Sequence, residues 1–129
     1  MAGGGAELLA GIVQDPVFGP LVAFGVGGTL TELIAAVGFR GVPLTDVACR
    51  ELVHAGPAGR LVAGLQGGAP LDEVALEELV QRLSALAEAF PEIAELDLNP
   101  VVVDARGCLA LDARVRVERP RPVASAKSW

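Results

Sequence analysis

Lysine is almost missing from this sequence of 129 residues, which contains only Lys127. Acidic residues outnumber basic ones by 16 to 10, and the formal net charge is −6. Proteins that bind nucleic acid non-specifically rely on lysine and arginine to neutralise phosphates, so the composition argues against a nucleic-acid partner. Any nucleotide site in this chain has to work without a lysine of its own or borrow one from elsewhere.

Cysteines and long apolar runs are also scarce. Cys49 and Cys108 show no metal-binding spacing; they fit reduced, buried thiols, with a disulfide as the alternative. No stretch approaches the roughly 20 apolar residues of a membrane span. The start of the chain has no basic segment and carries Glu7, which argues against a signal peptide. We therefore expect a cytoplasmic protein without a membrane partner.

The composition that remains is typical of one globular domain. Hydrophobic residues make up 52% of the chain and charged residues 20%, enough to build a core. We expect a flexible start over residues 1–6, a folded domain over 7–118 and a disordered tail over 119–129, where prolines and basic residues replace core residues.

Within that domain, the sequence predicts strands and helices in alternation. Thr45 is a good N-cap for a helix that ends near Gly56, and His54 in its last turn is interpreted as a surface or capping residue. Asp72 caps the strongest helix, which Pro91 stops. The predicted elements are strands at 7–14, 21–26 and 38–44, an ambiguous segment at 29–37, a helix after Thr45, a connector at 60–65, a loop at 66–70 and a helix at 71–90.

The segment Ile93–Arg114 predicts two antiparallel strands joined by a turn at 104–107. In its first part polar and aliphatic residues alternate, and in a strand this alternation places the two kinds of side chain on opposite faces. Pro100 cannot donate to a strand ladder, so it should bend or end the pairing. One face is predicted to carry Ile93, Glu95, Asp97 and Asn99, and the other Ala94, Leu96 and Leu98.

If these strands pair around the turn, Asn99 and Asp112 come close together. A carboxylate and an amide oxygen at one strand position suit a hard cation such as Mg²⁺, which takes one or two protein oxygens and leaves its other positions to water and phosphate. The alternative is a polar face that is simply solvated.

Two further features are open to two interpretations each. Gly25, Gly27 and Gly28 follow an apolar strand; such glycines let backbone N–H groups approach a phosphate, but they also form ordinary turns. Glu32 and Arg40 are opposite charges in apolar surroundings, where each must be paired or liganded. They form either a structural ion pair or part of a site.

Taken together, four separated segments resemble the C-terminal half of the ATP-grasp domain of NDP-forming acyl-CoA synthetases. The family includes ADP-forming acetyl-CoA synthetase and the β subunit of succinyl-CoA synthetase. The resemblance covers about residues 8–118, and the four segments occur in the right order. The segments are DPVFGPLVAFGVGGTLTEL, FRGVPLTD, AFPEIAELDLNPVVV and LALDAR.

The resemblance implies an α+β fold, a mostly antiparallel sheet packed against two or three helices. It implies ATP or ADP with Mg²⁺ as cofactors, and a CoA ester handled by partner domains. The reaction converts an acid, CoA and NTP into acyl-CoA, NDP and phosphate through a phosphohistidine. Asn99 and Asp112 match the family's Mg²⁺ ligands, and Asp97 matches the acid that approaches the phosphohistidine. Gly27, Gly28, Glu32 and Arg40 match the phosphate region.

The same resemblance sets expectations about partners and activity. The family's first ATP-grasp half, with its lysine, and the CoA-binding phosphohistidine domain are expected as partners, in the same or a separate chain. Ala36 and Gln66 replace residues that the family usually has. We therefore expect the chain alone to be inactive and expect uncovered apolar surface to favour a homodimer. The alternatives are a degenerate acyl-CoA-sensing module of a protein lysine acetyltransferase and a non-catalytic assembly domain.

Overall fold

The computed structural model describes residues 6–26, 37–64 and 71–119. Their strands form an antiparallel sheet in the order β3-β2-β1-β4-β5, with β6 paired to another part of β4. The helices confirm the predicted α+β class. The elements are β1 (Ala6–Asp15), β2 (Gly19–Val26), β3 (Val37–Gly41), α1 (Asp46–His54), α2 (Gly56–Val62), α3 (Glu73–Ala89), β4 (Ile93–Asp104), β5 (Gly107–Ala110) and β6 (Ala113–Val117).

Local sequence explains how the first hairpin turns. The Asp15 carboxylate accepts hydrogen bonds from the backbone N–H groups of Val17 at 2.7 Å and Phe18 at 2.9 Å. Gly19 follows with φ +76°, a left-handed conformation that favours glycine. The side chain of Asp15 and the missing Cβ of Gly19 therefore fix the turn between β1 and β2.

The helices begin where their caps predict. Thr45 accepts a hydrogen bond from the N–H of Ala48 at 3.0 Å, and Asp72 does the same for Ala75 at 3.0 Å. The connector predicted at 60–65, helical or irregular, is the end of the helix α2, which begins earlier because Pro57 presets its first turn. His54 lies at the end of α1, with its Nε2 3.1 Å from a carboxylate oxygen of Glu77 on α3. It links two helices at the surface, as its position predicted.

The core lies between the sheet and the helices. Leu8, Ala10 and Ile12 in β1 are fully buried, and so are Val22 and Phe24 in β2. They alternate with residues of the opposite face, as a pleated strand requires. The helices contribute Cys49, Leu52, Val53, Ala58, Val62, Leu76, Val80, Leu83 and Ala87 to the same cluster. The helices therefore cover one face of the sheet, and no described element packs against the other.

Ile93 departs from its predicted face. The alternation placed it with Glu95, but Ile93 is buried in the core while Glu95 is exposed. The register between β4 and β6 shifts between these two residues, from Ile93 opposite Val117 to Glu95 opposite Arg116. The prediction was wrong because an irregularity of one residue reverses which face a side chain takes.

The state of the cysteines and the length of the helices can be compared with the sequence predictions in the described segments. Cys49 and Cys108 are both free thiols, and Cys49 is buried. Among the residues that the structure describes, no helix has the length and apolar character needed to cross a membrane. Residues 1–5, 27–36, 65–70 and 120–129 lie outside the described segments, so the predicted flexible start, the ambiguous segment and most of the predicted tail are not covered.

Candidate functional site

A long hairpin positions the predicted metal ligands. Val101 in β4 lies opposite Ala110 in β5, and Leu98 lies opposite Ala113 in β6, so one register runs through both pairings. Between them the N–H of Asn99 donates to the carbonyl of Asp112 at 3.2 Å. Asn99 and Asp112 are therefore direct cross-strand neighbours, as the sequence predicted.

The hairpin brings both residues next to Asp97. Asp97 lies opposite Arg114, on the face away from the helices. Asn99 is two residues further along β4, and Asp112 directly precedes β6, where its carboxylate contributes to raising the pKa of Asp97. The Cβ atoms of directly opposed residues are about 4.5–5.5 Å apart, which brings an amide oxygen and a carboxylate within reach of one ion. Their role as ligands stays a prediction.

Pro100 leaves a bulge beside this pair. Ala10 of β1 lies opposite Leu98 and Leu8 lies opposite Val101, so two β4 residues, Asn99 and Pro100, oppose a single β1 residue. Pro100 does not end the strand, because its carbonyl still accepts from the N–H of Leu111 at 2.9 Å. Bulges re-aim side chains and are common beside active sites, which fits the position of Asn99.

Negative charge gathers on this face. Burial raises the pKa of the Asp97 carboxyl above its ordinary value, Glu95 and Asp112 raise it further, and Arg114 opposes them. Repulsion among the three acids makes this edge of the sheet favourable for a cation. Among the described residues, no three histidines, cysteines, aspartates or glutamates gather closely enough to hold a metal by themselves. A cation here has to share one carboxylate, one amide and outside oxygens, which suits Mg²⁺ rather than zinc.

An apolar depression of about 410 Å³ adjoins the acids on the same side of the sheet. Glu95 and Asp97 border it, and its floor comes from three strands. Its principal lining residues are Leu9, Gly11, Val13, Ala23, Val37 and Phe39. An apolar surface next to convergent polar groups is the usual form of a small-molecule site.

The structure does not bring every predicted residue to this site. Gly27, Gly28 and Glu32 lie outside the described residues. Arg40 lies opposite Val22, on the register of the helix-covered face, and its guanidinium donates to the carbonyl of Phe39 at 2.9 Å. Of the predicted residues that the structure describes, it brings Asp97, Asn99 and Asp112 together and places Arg40 elsewhere.

Sequence reasoning missed two charged residues of this face, Arg114 and Arg116. Their spacing of two within β6 was the available signal, because residues two apart share a strand face. The signal became specific only with the cross-strand register, which sets Arg114 against Asp97.

Comparison with known proteins shows the family of this chain. A family model described as the ATP-grasp domain matches residues 1–117. The ADP-forming acetate–CoA ligase I of Archaeoglobus fulgidus is 41% identical over 115 residues, which cover 89% of this chain and 17% of that protein. The β subunit of the ADP-forming acetate–CoA ligase I of Pyrococcus furiosus is 36% identical over 111 residues, which cover 86% of this chain and 48% of the subunit.

A solved structure shares the fold. The dinucleotide-forming acetyl-coenzyme A synthetase 1 of Candidatus Korarchaeum cryptofilum, in complex with coenzyme A and Mg-AMPPCP, superposes with a TM-score of 0.81 at 36% identity. The match covers 88% of this chain and 53% of that one. The chain thus spans about half of these subunits, or 17% of the longer ligase. It belongs to the ATP-grasp domain family, and its relatives are the NDP-forming acyl-CoA synthetases.

Proposed function

We propose that this chain is the metal- and phosphate-binding part of the ATP-grasp domain of an NDP-forming acyl-CoA synthetase. The complete enzyme would convert an acid, CoA and NTP into acyl-CoA, NDP and phosphate. The observation that carries the proposal is the backbone hydrogen bond between Asn99 and Asp112, which holds the two residues together beside Asp97. The ADP-forming ligases among the relatives support the reaction class.

The donor set fits Mg²⁺. Asn99 would supply an amide oxygen and Asp112 a carboxylate oxygen, with water and phosphate oxygens at the remaining positions. Mg²⁺ supplies charge neutralisation between phosphate oxygens when it is bound, which is what phosphoryl transfer requires. The hairpin itself contributes position, since backbone hydrogen bonds hold both residues in register.

Asp97 would orient the partner histidine that carries the phosphoryl group. It lies beside the metal ligands and is half-buried. Its carboxylate can accept a hydrogen bond from one ring nitrogen of a partner histidine, which leaves the other nitrogen to carry the phosphoryl group. In the Korarchaeum relative, a phosphohistidine segment points towards the nucleotide-binding site.

The remaining parts of the enzyme would come from the rest of the ATP-grasp domain and from a CoA-binding domain with the phosphohistidine. The open face and its depression are available to the first of these. Because phosphoryl transfer depends on positioning by both halves, we expect no turnover from this chain alone. Its free thiols fit the cytoplasm, and homodimerisation stays a prediction that sedimentation can test.

The proposed function is tested by calorimetric titration of ADP into the chain with Mg²⁺ and again with EDTA. We expect Mg²⁺-dependent binding, weakened about tenfold or more by Asn99→Ala or Asp112→Ala because each removes a ligand. Glu88→Ala, which removes an exposed carboxylate on α3, is the matched control. ADP binding that ignores Mg²⁺, or that all three variants leave unchanged, contradicts the proposal.

A parallel thermal-shift experiment separates the alternatives. The acyl-CoA sensor was suggested by Ala36 and Gln66, and both residues lie outside the described segments. A ligand that binds the folded state raises the melting temperature by mass action. Stabilisation by acetyl-CoA without any effect of Mg²⁺-ADP would favour the sensor, while no effect of either ligand would leave an assembly domain.

A further inference from the structure

Two arginines of β6 lie on the same face of the sheet as Glu95 and Asp97. Arg114 lies opposite Asp97 and Arg116 lies opposite Glu95, so each faces an acid across the hairpin. Both arginines are exposed. On register alone they are equivalent, and each would be interpreted as half of a surface ion pair.

Their actual contacts differ. Arg116 forms an ion pair with Glu118 and places its Nε 4.0 Å from a carboxylate oxygen of Glu95. Within the described part of the chain, Arg114 has no carboxylate oxygen within 4.0 Å, although Asp97 is its cross-strand neighbour. The charge of Arg116 is therefore balanced by its neighbours, whereas no carboxylate of the described residues pairs with the guanidinium of Arg114, which is exposed to other anions.

The position of Arg114 indicates which kind of anion it would bind. Arg114 is the second residue of β6, two residues after Asp112, and it lies opposite Asp97, so it is close to the proposed cation. Three acids line this region and would repel a phosphate unless cations offset them. Guanidinium binds phosphate oxygens through two parallel hydrogen bonds, a geometry that lysine cannot reproduce.

We propose that Arg114 binds a phosphoryl oxygen of the ligand that Asn99 and Asp112 hold through the metal. The inference rests on the proposed function and adds a residue to it. The phosphoryl group could belong to the nucleotide or to the phosphohistidine of the partner domain. Both sources present the same anionic oxygens, so the probes below separate them.

The test compares Arg114→Gln, Arg114→Lys and Arg116→Gln in the full chain. Amide shifts in ¹⁵N–¹H spectra give the affinity for Mg²⁺ alone and then for ADP at saturating Mg²⁺. We expect Arg114→Gln to weaken ADP binding about tenfold, the size of one charge-assisted contact. Its affinity for Mg²⁺ alone should stay equal or rise, because a repelling cation is gone. Arg114→Lys should recover part of the ADP affinity, and Arg116→Gln should match the parent chain.

A lower affinity for ADP without a lower affinity for Mg²⁺ distinguishes phosphate binding by Arg114 from a structural role. A variant that merely disturbs the hairpin loses Mg²⁺ and ADP affinity together, and that result overturns the inference. Equal ADP affinity in Arg114→Gln and the parent chain excludes the nucleotide as the ligand of Arg114, and it overturns the inference when the phosphoramidate affinity below is equal as well, which leaves the proposed function intact. A parent chain that binds no Mg²⁺ overturns both.

A second probe identifies the source of the phosphoryl group. Phosphoramidate contains a P–N bond like that of a phosphohistidine. Weaker binding of ADP by Arg114→Gln, with phosphoramidate unchanged, assigns Arg114 to the nucleotide. The reverse assigns it to the phosphohistidine, and no change with either probe overturns the proposal.

Discussion

The two faces of the sheet use the same strands for different purposes. On the helix-covered face, Leu8, Ile12 and Phe24 are at most 1% exposed and form the core. On the other face the same strands carry an apolar depression bordered by acids. Because neighbouring residues on a strand point to opposite faces, one segment can serve stability and binding with separate side chains. Substitutions on the two faces should therefore have separable effects.

The largest expected loss of stability comes from a pair of phenylalanines on adjacent strands, one on each face of the sheet. Phe24 is 1% exposed on the helix-covered face, and Phe39 is 46% exposed on the other. Phe24→Ala should lower the free energy of unfolding by about 3–5 kcal/mol, since it leaves a cavity in the core. Phe39→Ala should cost about 1 kcal/mol or less, because much of its ring already contacts water. Urea denaturation measures both values; similar losses would mean that the depression is covered in solution.

A smaller loss is expected where two strands approach closely. A Cβ at Gly11 would lie 2.2 Å from the carbonyl oxygen of Leu96 in β4, whereas a Cβ at Gly41 would meet nothing within 4 Å. Gly11→Ala should therefore destabilise the fold by about 1–3 kcal/mol, as overpacking does. Gly41→Ala should change stability by about 0.5 kcal/mol or less. The same denaturation experiment checks the pair, and a neutral Gly11→Ala would contradict the observed spacing of β1 and β4.

The smallest expected effect is on the acidic face, where a substitution should raise the stability of the fold instead of lowering it. Burial, helped by Glu95 and Asp112, raises the pKa of Asp97 in the folded state above its ordinary 3.8. The folded state then holds the proton more tightly than the unfolded chain, so stability falls as pH rises through the raised pKa. Asp97→Asn should thus be more stable than the parent chain at neutral pH, with the advantage lost below the ordinary value.

Thermal melts from acid to neutral pH measure this difference. Glu88→Gln removes an exposed carboxylate from α3 and controls for the change in net charge. The expected gain for Asp97→Asn is modest because the carboxyl is only half-buried. A gain that is the same at every pH, or a loss at neutral pH, would show that ionised Asp97 does not strain this face.

Much of this arrangement could be predicted from local sequence signals. Caps at Thr45 and Asp72 and the turn at 104–107 all act within a few residues, and the structure has each of them. The pairing of Asn99 with Asp112 followed from that turn, because a hairpin register is set by its loop.

The prediction that failed, the face of Ile93, depends on contacts between distant segments. Ile93 changes face because the register slips against β6. The position of Arg40 on the helix-covered register depends in the same way on the alignment of β3 with β2, while its role stays a prediction. Nothing in the local sequence encodes either alignment. Arg114 was missed for the same reason, since it differs from Arg116 only in its contacts with the described carboxylates.

The most direct test of the account is to locate a paramagnetic cation. Mn²⁺, added at low occupancy with ADP to the ¹⁵N-labelled chain, broadens the amide signals nearest to it. If the cation binds at Asn99 and Asp112, the signals of residues 97–99 and 112–114 broaden first. Asn99→Ala and Asp112→Ala then abolish this pattern, while Glu88→Ala keeps it. Broadening centred on another acidic group, such as Glu73 and Glu77 beside His54, would contradict the proposed site.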